Sequence, residues 1–225
     1  MTDIQLITHD LFDHLKKNIR KAKSCYILTS FVMESGVKLL EPYLKEAAER
    51  GTDIKICTGD YLFITQPEAL KRLLAIHPNI EIRLWRSNGV SFHPKTYILE
   101  NEEEGIFYIG SSNMSKSALT NGVEWNLAVE EPNKEGILED IISEFLDVFL
   151  HPSTVPLNDV TVEMYKQQYD NFHVKNPHLQ RKWTIQEEID LTLPGESGEE
   201  ENVAFPEQVT ETKEDYDIIT PRYAQ

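Results

Sequence analysis

The side chains best suited to chemistry lie between positions 93 and 124. His93 and Lys95 are two residues apart in a strand-like segment, so both project from one face and can meet at a single phosphate. Gly110-Ser111-Ser112-Asn113 follows the next apolar run, which places a hydroxyl and an amide at the end of an adjacent strand. Glu124 is expected to start a third strand. These groups supply a nucleophile, a cation, neutral donors and one carboxylate, as a phosphate site without a metal ion requires.

Each of these parts is weak when it is taken alone. A His-x-Lys pair arises often by chance, and most such pairs are two half-exposed polar residues of an ordinary strand. The ordered combination of His-x-Lys, Gly-Ser-x-Asn and a following Glu is more specific, and it resembles the signature of the phospholipase D superfamily. The motifs cover residues 91–126, and the alternation of strands and helices from Leu11 to Leu150 is similar to one half of that fold.

The resemblance assigns a role to each motif residue. It implies that His93 is the nucleophile and forms a phosphohistidine, while Lys95 and Asn113 hold the non-bridging oxygens with help from Ser111. Glu124 would orient and polarise His93 through its other ring nitrogen. No metal and no cofactor are implied.

Two features depart from the signature of the superfamily. Glu100 stands where the superfamily has Asp, at a position with a supporting role away from the reacting phosphate. Enzymes of the superfamily use two motifs, and the second histidine protonates the leaving oxygen, whereas this sequence has one motif. The resemblance to single-motif members therefore implies a homodimer with a shared active site. The other histidines have no Lys two residues later and are expected in surface or core positions: His9, His14, His77, His151, His173 and His178.

The pattern of apolar residues predicts an α/β fold with a mixed sheet flanked by helices. A basic amphipathic helix is expected from Leu11 to Lys23, and a helix ending near Arg50 should stop at Gly51. The remaining expected helices are 67–76, 134–150 and 162–169. The expected strands are 24–32, 53–58, 80–85, 95–99, 106–109 and 125–129.

The domain organisation follows from a change in composition along the chain. Residues 1–150 should form the catalytic domain and 151–185 a helical extension. An acidic linker would span 186–217 and give a less ordered extension, and 218–225 would begin a following domain. The net charge is −16, but the stretch 187–217 alone contributes −11 and leaves −5 for the rest. No membrane span or secretion signal is evident, and the two cysteines lie in apolar runs, so a cytoplasmic protein is expected.

A nucleic acid, with DNA preferred, is the substrate that the sequence favours. Arg86 and Lys116 lie close to the motifs as candidate substrate-binding residues, Arg83 lies nearby, and the first helix is basic. The last residues, 219–225, resemble the entry of a superfamily 2 helicase, which suggests a nuclease domain within a larger helicase protein. Two alternatives stay open at this point, namely a DNA-binding module with little activity, and a phosphatidyl transferase or phospholipase.

Overall fold

The computed structural model describes residues 2–131 and 136–177. The predictions for residues 178–225, including the acidic linker and the helicase-like tail, lie outside the described residues. The strands are β1 (Asp3–Ile7), β2 (Ser24–Thr29), β3 (Asp53–Gly59), β4 (Ile80–Trp85), β5 (Lys95–Glu100), β6 (Gly105–Gly110), β7 (Asn126–Glu131) and β8 (Thr154–Pro156). The helices are α1 (Leu11–Ile19), α2 (Glu34–Glu49), α3 (Pro67–Ile76), α4 (Lys116–Leu119), α5 (Ile137–Phe149) and α6 (Asp159–Lys175), with a 3₁₀ turn at Tyr61–Phe63.

These strands form one sheet in the order β1-β7-β6-β5-β2-β3-β4-β8. Strands β2, β3 and β4 run parallel because α2 and α3 carry the chain back between them. The short connections after β5 make β5 and β6 antiparallel neighbours, and β7 pairs antiparallel with β6. Antiparallel pairing of β5 with β2 joins the two halves of the sheet. The predicted mixed sheet flanked by helices is confirmed.

The two faces of the sheet carry separate apolar clusters, because successive residues of a strand point to opposite faces. One cluster contains Ile27, Ile56 and Leu99 and packs against α1, α2, α3 and α6. The other contains Ile98 and Phe107 and packs against α5. Helix α5 therefore covers its face alone among the described helices, whereas several helices share the opposite face.

Some predicted boundaries are wrong. The strand expected to start at Glu124 begins at Asn126, so Glu124 lies in the preceding loop. The basic helix expected to reach Lys23 ends at Ile19, because the chain must turn before β2, and the N–H of Lys21 bonds to the carbonyl of Asn18. The edge strands β1 and β8 and the short α4 were not expected.

The segment after residue 150 begins with β8, which pairs with β4 at the sheet edge. It continues into α6, which is longer than predicted and packs against α3. Asn158 caps α6 through reciprocal hydrogen bonds with Thr161, which fixes where the helix starts. Within residues 2–131 and 136–177, no helix is long and apolar enough to cross a membrane.

Candidate active site

The predicted site residues meet at one end of the sheet. Strand β5 begins there with Lys95, directly opposite Thr29 at the end of β2. Strand β6 ends at Gly110, opposite Asn126 at the start of β7. Because β5 is antiparallel to both β2 and β6, its first residues lie beside their last residues. The topology thus brings the His-x-Lys and Gly-Ser-x-Asn segments to the same end of the sheet.

Lys95 is held in place by two hydrogen bonds. Its Nζ donates to Ser30 Oγ at 3.0 Å and to the carbonyl oxygen of His93 at 2.9 Å. Burial lowers the pKa of Lys95, and the negative charge of Glu124 partly opposes that change. The ammonium has therefore lost part of its hydration, which strengthens its attraction for an incoming anion.

Asn113 is anchored through its side-chain oxygen. Asn113 Oδ1 accepts hydrogen bonds from the N–H of Phe31 and from Thr29 Oγ1, each at 3.4 Å. The amide nitrogen donates to none of the described residues and is not sealed from solvent. Its two N–H groups are therefore available for the oxygens of a phosphate, as the resemblance requires.

Ser111 and Glu124 form a pair at the same end of the sheet. Ser111 Oγ donates to Glu124 Oε2 and accepts a hydrogen bond from the N–H of Trp125 at 3.0 Å. In the described part of the chain no hydrogen bond joins Glu124 to His93. The role of Glu124 in orienting His93 therefore stays a prediction, while its contacts are with Ser111 and, through its charge, with Lys95.

The imidazole of His93 is exposed and makes no hydrogen bond with the described residues. Its ring packs edge-on against Tyr61, with the ring centroids 5.0 Å apart and the planes at 72°. The neighbouring residues fix the backbone, because the ring of Phe92 stacks on Trp85 and the carbonyl of Pro94 accepts a hydrogen bond from Ser30. The ring nitrogens are thus free to react with an external phosphorus atom.

Close backbone contacts explain two glycines around the site. A Cβ on Gly110 would collide with the carbonyl oxygen of Trp125. This close approach of the two backbones places the Gly-Ser-x-Asn motif beside the segment that contains Glu124. A Cβ on Gly36 in α2 would collide with the backbone of Met114, so this helix start lies directly on the segment after Asn113. Both positions require glycine because the neighbouring atoms are backbone and cannot rotate away.

The two predicted substrate-binding residues differ in their contacts. Arg86 is engaged within the chain, since its Nε donates to Asp60 Oδ2 and its Nη2 to Gln168 Oε1, both at 2.8 Å. Lys116 is exposed at the start of α4. Both roles in binding stay predictions. Of these two side chains, Arg86 forms an ion pair with Asp60, whereas Lys116 forms none with the described residues.

Glu100 lies apart from the other motif residues. It ends β5, five residues after Lys95, which corresponds to about 17 Å along an extended strand. This position agrees with the supporting role that the resemblance gives to the acid. In the described ranges, no group of three or more His, Cys, Asp or Glu side chains is arranged to hold a metal ion.

Sequence reasoning missed three side chains around the site, namely Thr29, Ser30 and Tyr61. Thr29 and Ser30 end the apolar run of β2, and this change from apolar to hydroxyl residues was a usable signal. Tyr61 carries no comparable signal because it lies 32 residues before His93 in the sequence. Only the sheet order brings it to the site.

Comparisons with known proteins agree with the fold described above. Residues 15–150 match the family described as "Cardiolipin synthase, PLD-like domain". No curated protein sequence matches the chain. Among solved structures, NucT from Helicobacter pylori is similar, with a TM-score of 0.55, 19% identity and coverage of 70% of this chain and 100% of that chain.

Two further solved structures share the fold. The phospholipase D family member Nuc from Salmonella typhimurium has a TM-score of 0.55 and 19% identity, and the match covers 71% of this chain and 100% of that chain. The phosphatidylserine synthase of Haemophilus influenzae has a TM-score of 0.54 and 15% identity, and the match covers 79% of this chain and 46% of that chain. Since the family match spans more than half of the sequence, the chain belongs to the phospholipase D-like family.

Proposed function

We propose that this chain is a metal-independent phosphodiesterase that cleaves nucleic acid, with DNA preferred, through a phosphohistidine intermediate. The observation that supports it best is the exposed imidazole of His93 together with the partly desolvated ammonium of Lys95, which donates to the backbone carbonyl of His93. The amide of Asn113 adds neutral donors, and Glu124 contributes one negative charge. Lys95 supplies the positive charge that a metal ion would otherwise provide.

The proposed reaction has two steps. A ring nitrogen of His93 attacks the phosphorus and forms an N–P bond, while the bond from phosphorus to the leaving oxygen breaks and that oxygen takes a proton from an acid. Water then attacks the phosphohistidine and gives a proton to the conjugate base of that acid, the N–P bond breaks, and the phosphate monoester leaves. Lys95 and Asn113 stabilise the negative charge on the non-bridging oxygens in both transition states.

The acid of the first step is proposed to be His93 of a second copy of the chain, because the described site offers one histidine. Large exposed apolar side chains on β1, β6, β7 and the loop before β7 support this homodimer: Ile4, Leu6, Ile109, Val123, Trp125 and Leu127. Leu6, Leu127 and Ile109 are cross-strand neighbours on β1, β7 and β6, so they form one continuous surface. Burial of such a surface favours association, and a two-fold axis beside it would bring two sites together.

The alternative substrate is a phospholipid. The family description names cardiolipin synthase, and the fold is shared with a phosphatidylserine synthase, so a phosphatidyl transferase or phospholipase is a definite second candidate. Nucleic acid is preferred because the chain matches the full length of NucT and Nuc, and Lys116 presents a free ammonium near the site. A weakly active DNA-binding module and a following helicase domain stay untested.

A single comparison of substrates tests the proposal. The purified chain is incubated in EDTA with plasmid DNA, with single-stranded DNA and with phosphatidylglycerol vesicles, and the products are separated on gels and by thin-layer chromatography. We expect cleavage of DNA and none of lipid. Turnover of the vesicles alone would favour the lipid enzyme, binding of DNA without cleavage would favour the binding module, and cleavage that requires magnesium would contradict the mechanism.

The dimer is tested separately by light scattering. Leu127→Glu places a charge in the centre of the exposed apolar surface and should weaken dimerisation and cleavage together. Val174→Glu is the matched control, because Val174 is also exposed but lies on α6. A wild-type chain that is monomeric at full activity would rule out the shared site.

A further inference from the structure

The side chain of His93 has one described ring partner, Tyr61. The backbone on both sides of His93 is fixed through Phe92 and Pro94, but the imidazole itself can rotate about its own bonds. The edge-on contact with Tyr61, at 5.0 Å between ring centroids, restricts that rotation. The hydroxyl of Tyr61 has no hydrogen bond with the described residues, so the ring alone makes the contact.

The turn that carries Tyr61 has an unusual backbone. Leu62 and Phe63 both adopt positive φ, 55° and 49°, although neither is glycine. Left-handed backbone disfavours residues with a Cβ, and such residues persist where the surrounding structure holds them. Two in succession indicate that the position of this turn is imposed from outside.

Helix α6 supplies that constraint. The ring of Phe63 packs against Phe172 at 4.9 Å and stacks on Tyr165 at 5.8 Å between centroids. The hydroxyl of Tyr165 donates to the carbonyl of Thr65 at 2.6 Å, while Thr65 Oγ1 donates to the carbonyl of Gly59 at 2.8 Å. Thr65, which follows the turn, is therefore tied both to α6 and to the end of β3.

A second connection runs through Asp60, the residue before Tyr61. Its carboxylate accepts hydrogen bonds from the guanidinium of Arg86 and from the N–H of Ser87, and Arg86 also donates to Gln168 of α6. Asp60 is buried, so it cannot exchange these partners for water. This connection explains why Arg86, a predicted substrate residue, is turned to contacts within the chain.

We propose that Tyr61 is a positioning residue for His93 and that α6 holds it in place through Phe63 and Asp60. The proposal rests on the proposed role of His93 as nucleophile. The ring of Tyr61 keeps the imidazole in the orientation from which a ring nitrogen can attack phosphorus. An error in placement of about 1 Å can reduce a rate on the order of 10²-fold, so a remote clamp of this kind has a measurable effect.

The test introduces Tyr61→Phe and Tyr61→Leu into the 225-residue chain. Tyr61→Phe keeps the ring and should retain the wild-type kcat, whereas Tyr61→Leu should lower kcat by about 10-fold to 10²-fold and leave KM nearly unchanged. Tyr43→Leu is the control. Tyr43 lies in the second half of α2 and makes a similar edge-on contact with Phe12 of α1. A loss of activity in Tyr61→Phe, or equal rates in all variants, would overturn the proposal.

The NMR signals of the His93 ring give a second measurement that needs no activity. In the wild type and in Tyr61→Phe the ring signals should be shifted by the neighbouring aromatic ring, and in Tyr61→Leu they should move toward random-coil positions. An inactive wild type with this pattern would defeat the proposed function but keep the contact. Identical His93 signals in all three proteins would defeat the positioning role.

The clamp by α6 is tested with Phe172→Ala. This variant should lower kcat in the same direction as Tyr61→Leu and move the His93 signals similarly, even though Phe172 does not contact His93 among the ring pairs of the described residues. Val174→Ala on the exposed side of the same helix turn should change neither. A folded Phe172→Ala protein with wild-type kcat would show that α6 does not hold the turn.

Discussion

Two regions of the molecule each contain a histidine packed edge-on against a tyrosine. In one region His93 contacts Tyr61 at 5.0 Å, and on the α1 side of the sheet His14 contacts Tyr108 at 6.3 Å. A cavity of about 180 Å³ lies beside the second pair. It is lined by several charged residues, including Lys17, Lys21, Glu100, Glu104 and Glu130. Histidine, lysine and glutamate therefore occur in both regions, and residue types alone do not distinguish the two.

The balance of charge separates the two regions. Beside the cavity, burial together with the hydrogen bond and charge of Glu104 raises the pKa of Glu130. Beside His93, one carboxylate lies near a lysine whose pKa is lowered by burial. Crowded carboxylates repel a phosphate, whereas a desolvated ammonium with neutral donors attracts it. This contrast supports the proposal that phosphate chemistry takes place in the region of His93.

Replacing each of the two histidines should affect activity very differently. His93→Ala should reduce turnover by at least about 10³-fold, because the N–P bond cannot form, while the melting temperature stays near that of the wild type. His14→Ala should keep the wild-type rate. Initial rates of DNA cleavage in EDTA measure both. A His93→Ala protein with most of its activity, free of contaminating nuclease, would end the assignment.

The two glutamates of the motifs give the next largest difference. Glu124→Gln can still accept a hydrogen bond from Ser111 but loses the negative charge that is proposed to orient and polarise His93, so kcat/KM should fall about 10²-fold. Glu100→Gln should change it by less than about twofold, because Glu100 ends β5 far from Lys95. Steady-state kinetics on one oligonucleotide compare the two. Equal losses would mean that the far end of β5 takes part in catalysis.

Lys95→Met should abolish most activity and stabilise the fold at neutral pH. The pKa of Lys95 is lower in the folded chain, so folding is penalised while the side chain is protonated. That penalty is fully present below the folded pKa and disappears as the pH rises past the unfolded value of 10.5. Urea unfolding from pH 7 to pH 10 should show the advantage of the variant shrinking. A destabilised variant at pH 7 would contradict this sign.

Glu130→Gln should give the smallest effect, a modest gain in stability without a change in activity. The pKa of Glu130 is raised in the folded chain, so its stabilising protonated form is lost as the pH rises above the unfolded value of 4.5. The variant should therefore exceed the wild type in melting temperature at pH 7 and match it at pH 4. Glu139→Gln, an exposed substitution on α5, serves as the control. A gain in melting temperature that is largest at low pH would contradict the raised pKa of Glu130.

Much of the architecture was predictable from local patterns. The segments around β3, α3 and β4 match their predicted bounds within a residue, because apolar runs separated by Gly51 and by Pro78-Asn79 mark their ends clearly. The edge strands β1 and β8 were not predictable in the same way. Strand β8 has three residues, and the side chains of β1 are mostly exposed, so neither has the apolar pattern of a central strand.

The sequence by itself determined the motif residues, their order and the single histidine of the signature, because these depend on spacing along one stretch of chain. Only the tertiary structure decided which groups surround them. Ser30 reaches Lys95, and Tyr61 reaches His93, because β2 and β3 lie beside or near β5 in the sheet. Strand order and packing likewise bring the guanidinium of Arg86 into hydrogen bonds with Asp60 and with Gln168 of α6. Contacts between distant segments follow from strand order and packing, which spacing in a sequence does not encode.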